Sequence, residues 1–259
     1  MHLIFIRHGD PDYKNDSLTQ KGFKEADLLA AYTADWDVSA LYVSSYGRAQ
    51  RTADGLEKNW KVERQTCTWL HEFDWRVIDP NSAKSRGAWD LMPEQFFCND
   101  LYFNKDKWAD TPLMQSGNIK EHYKEVTENF DKVLLSFGYC RKEEKIPLYS
   151  CTPNFTSQEL SVDTHLDAFQ KNGDERKLVF VCHLGVMFVL ISYLTGLSPM
   201  QLWQGFFVAP TSVTILGAQE RLPGQVLFRV QTMGSTSHLA AAKEDPSSSG
   251  FFGSVIPYA

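Results

Sequence analysis

Leu178–Cys182 reads LVFVC, five consecutive apolar residues with no polar alternation. A run of this kind is a strand buried on both faces, as in the middle of a parallel sheet. Such a strand needs helices above and below it, so the chain must supply strands and helices in alternation. It does so at both ends. His2–Ile6 reads as a first strand, Ala40–Val43 as a second, and Val62–Thr68, which alternates in polarity, as a third lying toward an edge. Helices are expected at Leu18–Ala34, capped by Asp16 or Ser17 with Leu18, Ala26, Leu29 and Ala30 as its apolar stripe, at Arg48–Lys58, and, fully buried, at Val186–Leu194. Ser212–Leu216 and Gln225–Val230 read as two closing strands joined by a turn at Leu222–Gly224. The expected fold class is α/β: a three-layer, mostly parallel sheet with helices on both faces.

The stretch from Asp74 to Arg176 lacks strand alternation and contains one strong helical pattern, Ile119 to Phe137. It is too long for a connecting loop. The reading is a single α/β domain over 1–240, with 76–176 as a helical insertion or cap and 241–259 as a tail. A turn-prone Pro/Ser/Gly stretch makes that tail a candidate for mobility, although Phe251, Phe252 and Val255 can dock it back on the body. With 43% hydrophobic and 22% charged residues, the chain has material for one sizeable core, which excludes a disordered or fibrous protein. Its net charge of −6 has the wrong sign for a surface that grips nucleic acid or anionic membrane, so neither is an expected partner. Any anion must be met by a local positive cluster.

Five cysteines, widely spaced and without a C-x-x-C pair, suggest reduced thiols and no zinc ribbon. The apolar stretch in MHLIFIRHGD is too short for a signal-peptide core, and the run Val186–Ile191 is a third of a membrane span. A cytoplasmic protein is expected, with homo-oligomerisation left open.

In open α/β sheets, sites form where loops leave the carboxyl ends of strands. Here those positions hold Arg7-His8-Gly9, Ser44-Ser45-Tyr46-Gly47-Arg48 and His183-Leu184-Gly185. Two arginines and two histidines at one sheet rim, in an acidic protein, suit a phosphate or phosphoryl group, whose oxygens a guanidinium fork matches bidentately. Singly, each residue is as well explained by a packed or solvated role. Together they point to one anion site.

RHGDPDY…LTQKG, SSYGRAQRTA, Glu72 in WLHEFDW and VCHLGV closely resemble, in order and spacing, the histidine phosphatase superfamily, whose relatives include cofactor-dependent phosphoglycerate mutases. The blocks frame residues 1–75 and 176–240. The resemblance implies that His8 is a nucleophile that becomes a phosphohistidine and is then hydrolysed. It further implies that Arg7, Arg48 and His183 hold the phosphoryl oxygens and that Glu72 is the proton donor, with Asp74 as its substitute. Gly9, Tyr13 and His71 are added as residues lining the substrate. No cofactor and no metal is called for; Asp10 and Asp12 alone are a poor coordination set. Two departures from the family pattern stand out. Leu184 separates His183 from Gly185, where the family has glycine directly after the histidine, and Asp12-Tyr13-Lys14 replaces the Trp-Asn pair of the mutases, which favours a phosphohydrolase. The alternatives are a phosphoglycerate-type phosphomutase and a non-catalytic phospho-ligand binding module.

His2, His122, His165 and His238 have no partners at metal-ligand spacing and are expected in structural or solvent roles. Between Arg86 and Asp110 lie Trp89, Phe96, Phe97, Tyr102, Phe103 and Trp108, which can wall a small phosphorylated substrate or form the insertion's own core. Lys84 and Arg86 are candidates for a second anion contact.

Overall fold

The computed structural model describes residues 1–79, 82–151 and 174–258. Eight strands of the described residues form one sheet: β1 (His2–Arg7), β2 (Ala40–Ser44), β3 (Arg64–Cys67), β4 (Tyr139–Glu143), β5 (Ile146–Cys151), β6 (Lys177–Cys182), β7 (Val213–Leu222) and β8 (Gln225–Ser235). Their spatial order is β3-β2-β6-β1-β7-β8-β5-β4. The first four run parallel and the rest continue antiparallel from β1. As its sequence requires, β6 lies inside the sheet, and β3 is the edge of the parallel half.

Alternation along β1 sorts its side chains onto two cores. Ile4 and Ile6 face one layer, where helices α1 (Gln20–Tyr32) and α2 (Gly47–Trp60) contribute Leu29, Ala30, Ala49, Ala53 and Leu56. Leu3 and Phe5 face the other, against helices α3 (Ile119–Ser136) and α4 (Leu184–Thr195). There Phe180 of β6 is ringed by Phe5, Tyr42 and Phe130, with centroids 5.2, 5.1 and 5.5 Å away. Phe130 belongs to the insertion, so the helix expected at Ile119–Phe137 is packed on the main sheet and not in a core of its own.

Three expectations are corrected. The first helix begins at Gln20, and its cap is Thr19, whose hydroxyl accepts from Gly22 N–H at 3.0 Å. Asp16 and Ser17 lie before it, and Leu18 pairs with Pro11 in a short bridge. The insertion also contains strands, because β4 and β5 form a hairpin that extends the sheet, and Arg76–Ile78 pairs with Ser85–Gly87. Beta-branched residues are scarce in these segments, and their exposed side chains mix apolar Ile78 and Ile146 with charged Arg76, Lys142 and Glu143, so no alternation marked them. Finally, β7 and β8 run well beyond Leu216 and Val230, to Leu222 and Ser235.

Helix α1 is pressed against the loop that follows β1. A Cβ on Gly22 would lie 2.2 Å from the backbone oxygen of Asp10, and one on Gly9 would lie 2.8 Å from the oxygen of Gly22. Backbone on both sides leaves nothing flexible to give way. Gly22→Ala should therefore cost about 1–3 kcal/mol, as overpacked cores do, and lower Tm by several degrees; an unchanged melting curve by calorimetry would refute this close approach.

Candidate active site

The register of three adjacent parallel strands gathers the site. Arg7 is opposite Cys182 and Val43 opposite Val181, so His8, His183 and Ser44 leave the sheet at one level. The two imidazole centroids are 5.0 Å apart. His8 is 2% exposed and His183 0%.

A carbonyl can only accept, so the 2.8 Å contact between His8 Nδ1 and its neighbour's Gly9 oxygen fixes the proton on Nδ1 and leaves a lone pair on Nε2. Burial, then the charges of Arg7 and Arg48, hold the His8 pKa well below the usual histidine range. His183 is depressed likewise by burial, then by His8, Arg48 and Arg7. Its Nε2 lies 2.7 Å from Ser44 Oγ.

Both arginines are buried and held from behind. Arg7 donates from Nη1 to the Val208 oxygen at 2.7 Å and from Nη2 to the Ser249 oxygen at 2.8 Å. Burial pulls its pKa down, yet a guanidinium remains charged. Arg48 donates from Nη1 to Asp16 Oδ1 at 2.7 Å, while Asp16 Oδ2 accepts the Gly47 N–H at the start of α2. Asp16 thus serves the second helix. Among the described residues, Arg7 Nε, Arg48 Nε and His183 Nδ1 are buried without a hydrogen-bond partner. Buried polar groups are rarely left so, and three in one cluster mark a place built for a polar guest.

Glu72 Oε1 accepts from Phe73 N–H at 2.8 Å and from Val186 N–H at 3.2 Å, in the first turn of α4. Burial raises its pKa, against these bonds and the pull of Arg7 and Arg48. A Cβ at position 185 would lie 2.5 Å from Oε1. The glycine displaced by Leu184 is therefore required where it stands, to let the carboxyl reach the helix. Asp74 is exposed.

Gly9 donates its N–H to Thr52 Oγ1 at 2.9 Å. Tyr13 is 65% exposed, with the Arg48 guanidinium 5.4 Å from its ring centre. His71 lies between Tyr46 and Trp75, at centroid separations of 5.8 and 5.6 Å, and Trp75 stacks flat on His122 at 3.4 Å. These rings, all partly exposed, form a row starting from Tyr46, itself 5.2 Å from His183. The sequence suggests such a row in the insertion. There Phe96, Tyr102 and Trp108 are core, while Phe97 and Phe103 face solvent. Arg86 is tied to Asp79 and Gln95, and Lys84 is exposed, so neither joins this cluster. His165 lies outside the described residues. Among those described, no three His, Cys, Asp or Glu side chains could hold a metal ion, and no helix is long and apolar enough to cross a membrane.

The tail is anchored here. Besides the Ser249–Arg7 bond, Ser247 Oγ donates to Asp10, Glu244 pairs with Lys21 and Lys24, and Phe251 packs on Phe207 at 4.9 Å. Phe252, by contrast, is fully exposed.

The sequence profile described as Histidine phosphatase superfamily (branch 1) matches residues 3–134. The chain belongs to that superfamily. No curated protein matches its sequence. Among solved structures it is similar to a mycobacterial glucosyl-3-phosphoglycerate phosphatase (15% identity, 90% of this chain and 99% of that one, TM-score 0.55). A phosphoserine phosphatase from Entamoeba histolytica is similar at 17% identity over 92% of this chain and 98% of that one, TM-score 0.54. An alpha-ribazole phosphatase from Shigella flexneri is similar at 18% over 91% and 97%, TM-score 0.53. At these identities the likeness is one of fold.

Beneath the loop, Glu25 is fully buried and accepts the backbone N–H of Asp10 at 3.0 Å and of Ser247 at 3.2 Å. Burial pushes its pKa up to about 7. For an acid raised in this way, the folded state prefers the protonated form, so stability from this group is present below about pH 4.5 and is lost as pH rises to about 7. The difference in unfolding free energy between Glu25→Gln and wild type, measured by urea titration, should shift toward the variant by on the order of 3 kcal/mol between pH 4.5 and 8; a pH-independent difference would contradict it.

Proposed function

We propose that this protein hydrolyses small phosphomonoesters through a phosphohistidine on His8. The observation that carries the reading is the His8 imidazole, neutral and with its Nε2 lone pair free, standing beside three buried, unpartnered nitrogens of Arg7, Arg48 and His183. In the first step Nε2 attacks phosphorus and the phosphorus–oxygen bond to the alcohol breaks. Glu72, whose carboxyl pKa burial raises, gives its proton to the departing alkoxide. In the second step water attacks the phosphohistidine, Glu72 takes its proton, and the phosphorus–nitrogen bond breaks to return neutral His8.

The transferring group spreads negative charge over its equatorial oxygens, and the two guanidiniums with His183 supply fixed positive charge and N–H donors for it. A Ser44 hydroxyl that donates to His183 Nε2 would leave the ring proton on Nδ1, the nitrogen without a partner, where it can meet a phosphoryl oxygen. Loss of one such donor typically costs about 3–4 kcal/mol of barrier. The leaving group lies along the row Tyr46, His71 and Trp75, which favours alcohols bearing a planar ring. A soluble, metal-independent enzyme of the cytoplasm fits this chemistry, with a small phosphorylated molecule as its partner.

His8→Ala should abolish hydrolysis of an aryl phosphate with its circular dichroism unchanged; a variant that keeps most of the wild-type rate sinks the reading. Glu72→Gln should slow alkyl phosphates far more than aryl phosphates, whose leaving groups hardly need a proton; equal losses on both would remove Glu72 from the acid role. Trp75→Ala should raise KM for 2-phenylethyl phosphate roughly 3- to 10-fold, the equivalent of about 0.5–1.5 kcal/mol, with KM for butyl phosphate unmoved. Parallel changes for both esters would place the leaving group elsewhere.

A further inference from the structure

One buried histidine and one strained residue have no part in the chemistry above, and they touch each other. Thr211 is fully buried and adopts φ 57°, a left-handed conformation that a β-branched residue rarely takes. Its hydroxyl donates to the Pro210 oxygen at 2.7 Å. Having spent its proton, Oγ1 can only accept at the 2.9 Å contact with His238 Nε2, so Nε2 carries the hydrogen. His238, 3% exposed, sits on the short helix α5 (Ser237–Ala242) with the Tyr32 ring of α1 at 6.4 Å. Burial lowers its pKa to about 4, so it is a neutral donor across the working range.

The backbone of Thr211 explains the strain. Its N–H is shared between the Arg7 oxygen at 3.0 Å and the His8 oxygen at 3.2 Å. Those two carbonyls belong to the peptide planes on either side of the His8 Cα. Tying both to one donor fixes φ and ψ of His8, and with them the direction in which its side chain leaves the backbone. The last registered pair between β1 and β7 is Ile6 with Val213, so this shared bond carries the pairing two residues past that pair. Glycine would satisfy φ 57° without strain but has no hydroxyl for His238. Strain that persists in a buried residue is held by its surroundings, and here the holder is the imidazole.

We propose that Thr211, locked by His238, is a positioning residue for the nucleophile. The inference rests on His8 being that nucleophile. Arg7 is held independently, through Val208 and Ser249, so loosening Thr211 disturbs the aim of His8 more than the binding of phosphate.

The test is steady-state hydrolysis of an aryl phosphate, with the melting temperature followed in parallel, for Thr211→Gly, Thr211→Ser, His238→Leu and His238→Gln. Thr211→Gly and His238→Leu should lower kcat about tenfold or more, since small misplacements of a reacting group are costly, with KM within about threefold. Thr211→Ser keeps the hydroxyl and His238→Gln keeps an N–H donor, so both should stay within about threefold of wild-type kcat. Wild-type kcat in Thr211→Gly, or equal kcat for His238→Leu and His238→Gln, overturns the proposal. If Thr211→Gly does not fold, the His238 pair decides. Failure of this inference is separable from failure of the reading beneath it: an inactive wild type, or an active His8→Ala, sinks the nucleophile, whereas an inactive His8→Ala beside a fully active Thr211→Gly sinks only the positioning role.

Discussion

The pairing of β1 with β6, in parallel and with Arg7 opposite Cys182, is the constraint on which everything else rests. It brings two imidazoles within 5.0 Å of each other, although 175 positions separate them, and it does so through backbone hydrogen bonds that no surface change can shift. A slip of one residue would turn every side chain of β1 to the opposite face, exchanging Phe5 with Ile4 and Ile6 between two unlike cores. The aromatic cluster around Phe180 and the aliphatic layer under α1 and α2 therefore set the site's geometry as firmly as the hydrogen bonds do.

What such a register creates is electrostatically awkward. Two guanidiniums lie out of water beside two imidazoles, and both imidazoles respond by giving up their charge. Partial relief for the arginines comes from Asp16, and from the carbonyls of Val208 and Ser249, while burial raises the pKa of Glu72. Both guanidiniums keep a buried Nε without a hydrogen-bond partner. In the proposed reaction a dianionic phosphoryl group is the guest that meets them, so an acidic protein needs only this small positive island.

Much of this was readable in the chain. LVFVC announced the central strand, and the residues after three strands announced where the cations would meet, because strand ends and buried runs leave local patterns. The hairpin β4–β5 did not, since its pairing is decided by the edge it joins and not by its own alternation. Asp16 was read as a cap for the helix nearest in sequence, whereas it caps one thirty residues on; proximity along the chain carried no information about that choice. Ser44, Thr52, Thr211 and His238 were equally silent. Each acts through hydrogen bonds across the fold, and nothing in the residues around them distinguishes such bonds from ordinary burial. His122 was expected in a structural or solvent role; its stacking on Trp75 ties the insertion to the residue just before it, a contact that no metal-ligand spacing announces.

The bond between Arg7 and Ser249 spans 242 positions. On a ribosome, the first strand emerges long before either β6 or the segment that grips its arginine exists. The cationic cluster is consequently incomplete in every shorter nascent form: until synthesis passes residue 249, Arg7 lacks one of its two carbonyl clasps. Assembly that waits on contacts this remote is slow by topology, and it reserves the finished pocket for chains made past residue 249.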